Sequence, residues 1–224
     1  MRVVSRPHLP PAKIPRPRAA YIKAIGLLVV VLVVGALVAG FTELPLSPVT
    51  LNDPSQSEAV TFKAQWKAGN IVFLIRHAER CDRSSNPCLG PADGITVAGQ
   101  EEARRVGAAL ASLGMGSTDV VTSPLTRTVQ TAQALFNASG TEQAWVHECG
   151  SHFAKDISAS KVAGRNLVLV THSGCISQFE AQAGFPHASV AEYTSTLVAT
   201  VGVDGKLNIV GVINAQDWAK LNAQ

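Results

Sequence analysis

The stretch "NIVFLIRHAERCDRSSNPC", Asn70 to Cys88, decides the fold. Five consecutive apolar residues, Ile71 to Ile75, run directly into arginine, histidine, glutamate and cysteine side chains. A short uninterrupted apolar run with polar flanks predicts a strand buried on both faces, the kind found in parallel sheets. Arg76 and His77 then emerge where the strand ends, and in open α/β sheets ligands bind outside that carboxyl edge.

The pattern recurs downstream in "NLVLVTHSG", Asn166 to Gly174, where a second apolar run ends in a histidine and leads into a predicted helix from Cys175 to Ala183. Between the two runs, "TVAGQEEARRVGAALASLG" (Thr96 to Gly114) carries Val97, Ala103, Val106, Ala109, Leu110 and Leu113 at helical spacing, and Gly114 can stop it. "DVVTS" (Asp119 to Ser123) reads as a short strand, and "PLTRTVQTAQALFNASG" as a helix with Pro124 in its first turn. "AWVHE" (Ala144 to Glu148) is expected to add a strand and Phe153 to Val162 a short helix. The tail from Ser195 to Ile213 has Asp204-Gly205 between apolar runs, a hairpin signal. Strands alternating with helices predict an α/β fold, a three-layer α/β/α sandwich with a largely parallel central sheet.

Outward from this unit, the N-terminal part is of a different character. Residues 1–23 hold six basic side chains, no acidic ones and five prolines. "AIGLLVVVLVVGALVAGF", 24–41, is uncharged, and its roughly 18 residues would make a helix about 27 Å long, close to the thickness of a bilayer core. The expectation is one N-terminal transmembrane helix, as an anchor or a signal sequence, with 1–23 as a basic cytoplasmic segment. Residues 42–63, rich in Pro, Ser and Thr, read as a linker, and 64–224 as the folded domain. The formal charge of +3 resides in the arm: without its six cations, 13 basic face 16 acidic side chains, and no nucleic-acid footprint remains. Topology and anionic lipid of the inner membrane account for the arm.

If the strands align, Arg76, His77 and Arg80, then Arg127, Glu148 and His172 converge. Arginine forks bind phosphoryl oxygens two at a time and stabilise charge during transfer. A neutral imidazole beside them can attack phosphorus and hold it covalently before water removes it. A phosphate ester also needs a proton for its leaving oxygen: Glu148 is the first candidate, with Glu79 and Asp82 nearer the nucleophile in sequence.

"RHAER", "SPLTRTVQTA" and "THSG" together resemble the histidine phosphatase superfamily, in its phosphoglycerate mutase-like branch. The resemblance implies that His77 is the phosphorylated nucleophile, that Arg76 and Arg127 hold the phosphoryl group with His172, and that no metal or cofactor is required. More narrowly, "RHAERCD", "NPCLG", "GITVAGQ", "ECG" and "THSGC" look like the bacterial lipopolysaccharide core heptose(II)-phosphate phosphatases, exported members of that superfamily. This implies a phosphomonoesterase in the periplasm acting on a phosphorylated lipopolysaccharide sugar. Phosphohistidine proteins, small phosphate esters, or phosphate binding without turnover remain as alternatives. Where many relatives have glycine after the nucleophile, this chain has Ala78, which is tolerated if its backbone angles are ordinary.

Outside these motifs, His8, His147, His152 and His187 read as ordinary histidines, and Arg83, Arg104 and Arg105 as solvated charges. Arg80 reads as a phosphate ligand, with pairing to Glu79 or Asp82 as the competing role. The four cysteines admit three complete pairings. In an oxidising compartment, Cys81 with Cys88 would clamp the Arg80 loop, and Cys149 with Cys175 would join the acid's loop to the turn after His172. A zinc site lacks the paired C-x-x-C spacing.

Overall fold

The computed structural model describes residues 18–42, 47–52, 56–202 and 204–222, with backbone alone for 18–20, 37–42, 56–60 and 222. Two units result, Met1–Leu44 and Pro45–Gln224. In the first, α1 spans Arg18–Thr42. Among the described residues no helix is long and apolar enough to cross a membrane. Residues 1–17 of the basic segment, and 43–46 and 53–55 of the expected linker, lie outside the described residues.

The second unit is built on a six-stranded sheet in the order β3-β2-β4-β1-β5-β6. Its strands are β1 (Ile71–Arg76), β2 (Thr118–Thr122), β3 (Thr141–Glu142), β4 (Asn166–Thr171), β5 (Thr196–Val201) and β6 (Leu207–Ile213). The helices are α2 (Gln56–Lys67), α3 (Val97–Leu113), α4 (Thr126–Phe136), α5 (Trp145–Glu148), α6 (Phe153–Ser160), α7 (Ser173–Gln182) and α8 (Trp218–Asn222). Successive side chains of β1 point to opposite faces. Ile71, Phe73 and Ile75 enter one core with Trp66, Val106, Leu110, Leu135 and Trp218, while Val72 and Leu74 enter the other with Phe153, Ile157, Ile176 and Phe179. Helices thus cover both faces, and the apolar runs of β1 and β4 lie at the centre.

Three expectations are corrected. The sheet is mixed: β1, β2, β3 and β4 pair in parallel, but β5 is antiparallel to both β1 and β6, because the closing hairpin reverses the chain beside β1. The residues expected as a strand at 144–148 form helix α5 instead, and the edge strand is the two-residue β3. Only Val146 of α5 is fully buried, one anchor toward the core rather than the alternating face a strand would offer. Nor is 42–63 all linker. Leu51 N–H donates to Val212 O (2.7 Å) and Val212 N–H to Val49 O (2.8 Å), and Phe62 in α2 stacks on Phe73 with ring centroids 6.1 Å apart. A shorter discrepancy concerns Pro124, which precedes the N-cap Leu125 rather than entering the first turn of α4.

One glycine sets the spacing of two helices. A Cβ on Gly107 of α3 would lie 2.1 Å from Leu135 O in α4, so only glycine permits this approach.

Candidate active site

Register brings the two histidines together. Arg76 of β1 pairs with Thr171 of β4, so the next residue in each chain, His77 and His172, leaves the same sheet edge side by side. His77 N–H donates to Thr171 O (2.9 Å), and the two rings lie 5.4 Å apart by centroid. On the other side of β4, Thr122 of β2 pairs with Val170, which sets Ser123 next to His172.

The hydrogen bonds define both tautomers. His77 Nδ1 lies 2.8 Å from Ala78 O, and since a carbonyl only accepts, Nδ1 carries the proton. The lone pair of the neutral ring is therefore on Nε2. Arg127 donates from its terminal nitrogen to His172 Nδ1 (3.3 Å), so His172 is protonated at Nε2, which donates to Ser123 Oγ (2.9 Å). Burial, reinforced by neighbouring arginines, lowers the pKa of both histidines to about 3. Both are neutral at ordinary pH.

The positive charge around them is largely uncompensated. Arg76 donates to Ala191 O (2.5 Å) and lies 3.9 Å above the Tyr193 ring, whose centroid is 5.7 Å from that of His77. Among the described residues, neither Arg76 nor Arg127 forms a salt bridge, and burial lowers the pKa of each. Their Nε atoms are buried without partners. Two guanidinium groups in no salt bridge, with Glu192 acting on Arg76 and Asp82 and Asp93 on Arg127 only through their charge, stand beside two neutral imidazoles and make a site suited to a dianion. Arg80 differs: its fork is closed on both carboxylate oxygens of Asp82, with Nε to Oδ1 at 2.7 Å, and it acts on the histidines through its charge.

The acid candidates separate as well. Glu79 accepts from Thr96 Oγ (2.6 Å) and Asn86 Nδ2 (2.9 Å), and these bonds hold its carboxyl below the usual range. Asp82 is lowered by its bond from Arg80. Both are held ionised, the wrong state for a proton donor. Glu148 is exposed at the end of α5 and has no side-chain hydrogen bond among the described residues. Its segment is tied to the site from two directions: Thr171 Oγ donates to Val146 O (2.7 Å), and Cys149 is bonded to Cys175 in α7. The other disulfide joins Cys81 and Cys88, with Cα atoms 5.2 Å apart, and no cysteine is free.

Sequence reasoning left several neighbours unassigned. His147, read as ordinary, packs its ring edge-on against His172 at 5.0 Å. Tyr193 comes from the connection before β5 and carries no local signal. Ser123 opens the quoted "SPLTRTVQTA" but without an assigned part. Thr131 accepts from Ala78 N–H (2.9 Å) and donates to Arg127 O (2.6 Å), joining the turn after His77 to α4. Ala78 itself is fully buried and is not among the residues with positive φ, so its methyl is accommodated.

The neutral histidines give a pH prediction. A group whose folded pKa is below its ordinary value of 6.5 binds a proton more readily when unfolded, so stability is retained above pH 6.5 and lost as pH falls toward about 3. The slope for His77 is at most about 1.4 kcal/mol per pH unit. Glu180, buried and raised to about 7 by desolvation, works the other way, weakening the fold as pH rises from 4.5 through 7. Urea midpoints at pH 7, 5.5 and 4.5 are expected to fall less in His77→Asn than in wild type; parallel curves would refute the assignment.

Comparison with known proteins follows this geometry. Residues 72–151 match the sequence model of the histidine phosphatase superfamily (branch 1). Proteins named lipopolysaccharide core heptose(II)-phosphate phosphatase from Escherichia coli, strains E24377A and K12/DH10B among them, are 39% identical over 112 residues, 48% of this chain and 54% of theirs. The chain thus spans about half the length of the curated relatives it matches. The solved structure of the protein histidine phosphatase SixA complexed with tungstate shares the fold, with a TM-score of 0.50 and 18% identity over 66% of this chain and 98% of that one.

Proposed function

Because the chain carries a histidine phosphatase superfamily domain, we propose that it is a phosphomonoesterase working through a phosphohistidine at His77. The observation that carries this reading is the bond from His77 Nδ1–H to Ala78 O, which leaves Nε2 unprotonated in the field of Arg76 and Arg127, neither of which forms a salt bridge among the described residues. In the first step the Nε2 lone pair attacks phosphorus and the ester P–O bond breaks. Arg76, Arg127 and His172 bind the equatorial oxygens, and Glu148, the acid candidate whose side chain makes no hydrogen bond among the described residues, protonates the departing alkoxide. In the second step water attacks the phosphohistidine, Glu148 takes its proton, and phosphate and neutral His77 are released. Neither step calls on a metal.

The proposed substrate is a phosphorylated sugar of the lipopolysaccharide core. The supporting observation is the 39% identity to proteins of that name. We further propose that 24–41 attaches the chain to the inner membrane with 64–224 in the periplasm; two disulfides accord with an oxidising compartment. The shared fold of a protein histidine phosphatase keeps phosphohistidine proteins as the second reading.

The role of Glu148 is tested by leaving group. Protonation matters for a poor leaving group and little for a good one, so Glu148→Gln is expected to lower turnover of an alkyl phosphate by about a hundredfold and of a dinitrophenyl phosphate by less than about tenfold. Equal losses on both would remove Glu148 from the acid's part.

A further inference from the structure

A second concavity adjoins the phosphate site. β6 is antiparallel to β5, and β5 to β1, so β6 runs parallel to β1 and its end delivers Asn214 and Gln216 to the same edge as His77. The start of α3 reaches that edge too. Thr96 is bonded to Glu79, and at Gly99 a Cβ would stand 2.9 Å from Glu79 N, so only glycine lets the helix approach so closely. Between these elements lies a cleft of about 590 Å³, lined among others by Glu79, Glu102, Arg105, Glu192, Tyr193 and Gln216. That is the size of a small-molecule site. Tyr193 is common to both places: it lines the cleft and also lies 3.9 Å from the Arg76 guanidinium carbon.

The lining has a definite chemistry. Three carboxylates face one arginine. Among the described residues no hydrogen bond or salt bridge engages the side chains of Glu102, Glu192 or Gln216, and Glu192 acts on Arg76 through its charge alone. Carboxylates and amides with free acceptors suit hydroxyl donors, whereas a second anion entering here would lose water and meet like charge.

We propose that this cleft is the subsite for the alcohol portion of the substrate, and that Glu102 and Glu192 select hydroxyl-rich, uncharged alcohols against those bearing a second anion. The proposal rests on the phosphatase reading and deepens it: the arginines take the phosphate, and the cleft past Tyr193 takes what the phosphate is attached to. It excludes phosphorylated sugar acids more strongly than neutral phosphorylated sugars.

The test uses a matched pair, a hexose 6-phosphate and its aldonic acid 6-phosphate, alongside an aryl phosphate. With the full-length chain, kcat/KM is expected to favour the neutral sugar by about tenfold or more. The double variant Glu102→Gln/Glu192→Gln should bring that ratio within about threefold, while Glu101→Gln, on the same helix but outside the cleft, should leave it unchanged. A wild-type ratio near one, a ratio unaltered in the double variant, or aryl phosphate turnover with neither hexose phosphate hydrolysed would overturn the subsite. Absence of turnover with every ester would instead count against the phosphatase reading. The subsite is then judged by calorimetry on His77→Asn protein, where the neutral phosphate should bind about tenfold more tightly and equal affinities would overturn it.

Discussion

His77→Ala is expected to lower phosphate release from an aryl phosphate by about a thousandfold or more, the loss that follows when a covalent route is removed and only binding remains. The structural basis is specific. His77 is 3% exposed, neutral, and oriented by its own main chain, with Nδ1–H on Ala78 O. Among the described residues no other imidazole has this arrangement: His172 donates through Nε2 to Ser123 and accepts from Arg127 at Nδ1, so both of its nitrogens are engaged. It cannot substitute as nucleophile without breaking the bonds that orient it. Rapid quenching of wild type with an aryl phosphate should trap an acid-labile, alkali-stable phosphoenzyme that His77→Ala does not form. Full turnover in the variant, or a phosphoenzyme that survives the substitution, would reject the phosphohistidine mechanism.

Arg127→Ala is expected to reduce kcat/KM by about a hundredfold to a thousandfold, corresponding to roughly 3–4 kcal/mol of lost transition-state stabilisation. Arg127 is unneutralised and donates to His172 Nδ1 at 3.3 Å, so one substitution removes a charge and releases the ring beside it. Arg127→Lys is expected to recover little, because a point charge does not reproduce the planar fork. A second readout distinguishes this from general damage. Arg127 lowers the His172 pKa, second only to burial, so in Arg127→Ala the His172 titration followed by NMR should move upward from about 3. The effects of Arg127→Ala and His172→Ala should also fall short of additive, since the two side chains touch. A loss below tenfold in Arg127→Ala, with His172 unmoved, would take Arg127 out of the phosphate site.

Much of this protein follows from local pattern. Strands β1 and β4 were legible because a strand buried on both faces needs an unbroken apolar run, and because each run gives way within two residues to a histidine, His77 or His172, that marks the strand end. α3 was legible from its spacing, with Thr96 accepting from Gly99 N–H as the cap. The placement of α5 was not: "AWVHE" is too short to carry a period of its own, and in the structure Thr171 and Cys149–Cys175 hold it beside β4. The mixed character of the sheet was likewise undetermined, since a hairpin signal does not say which strand it will lie against.

The site divides in the same way. The sequence by itself placed the proposed nucleophile His77 together with Arg76, Arg127 and His172, because each lies within a short motif directly after a strand or at a helix start, where backbone geometry alone directs it to one edge. The tertiary structure decided that Arg80 turns to Asp82, that Glu79 is held ionised by Thr96 and Asn86, and that Tyr193 and His147 complete the walls. These outcomes depend on distances between segments remote in the chain. Tyr193 meets Arg76 only because β5 lies beside β1, and no periodicity within either segment records that neighbour.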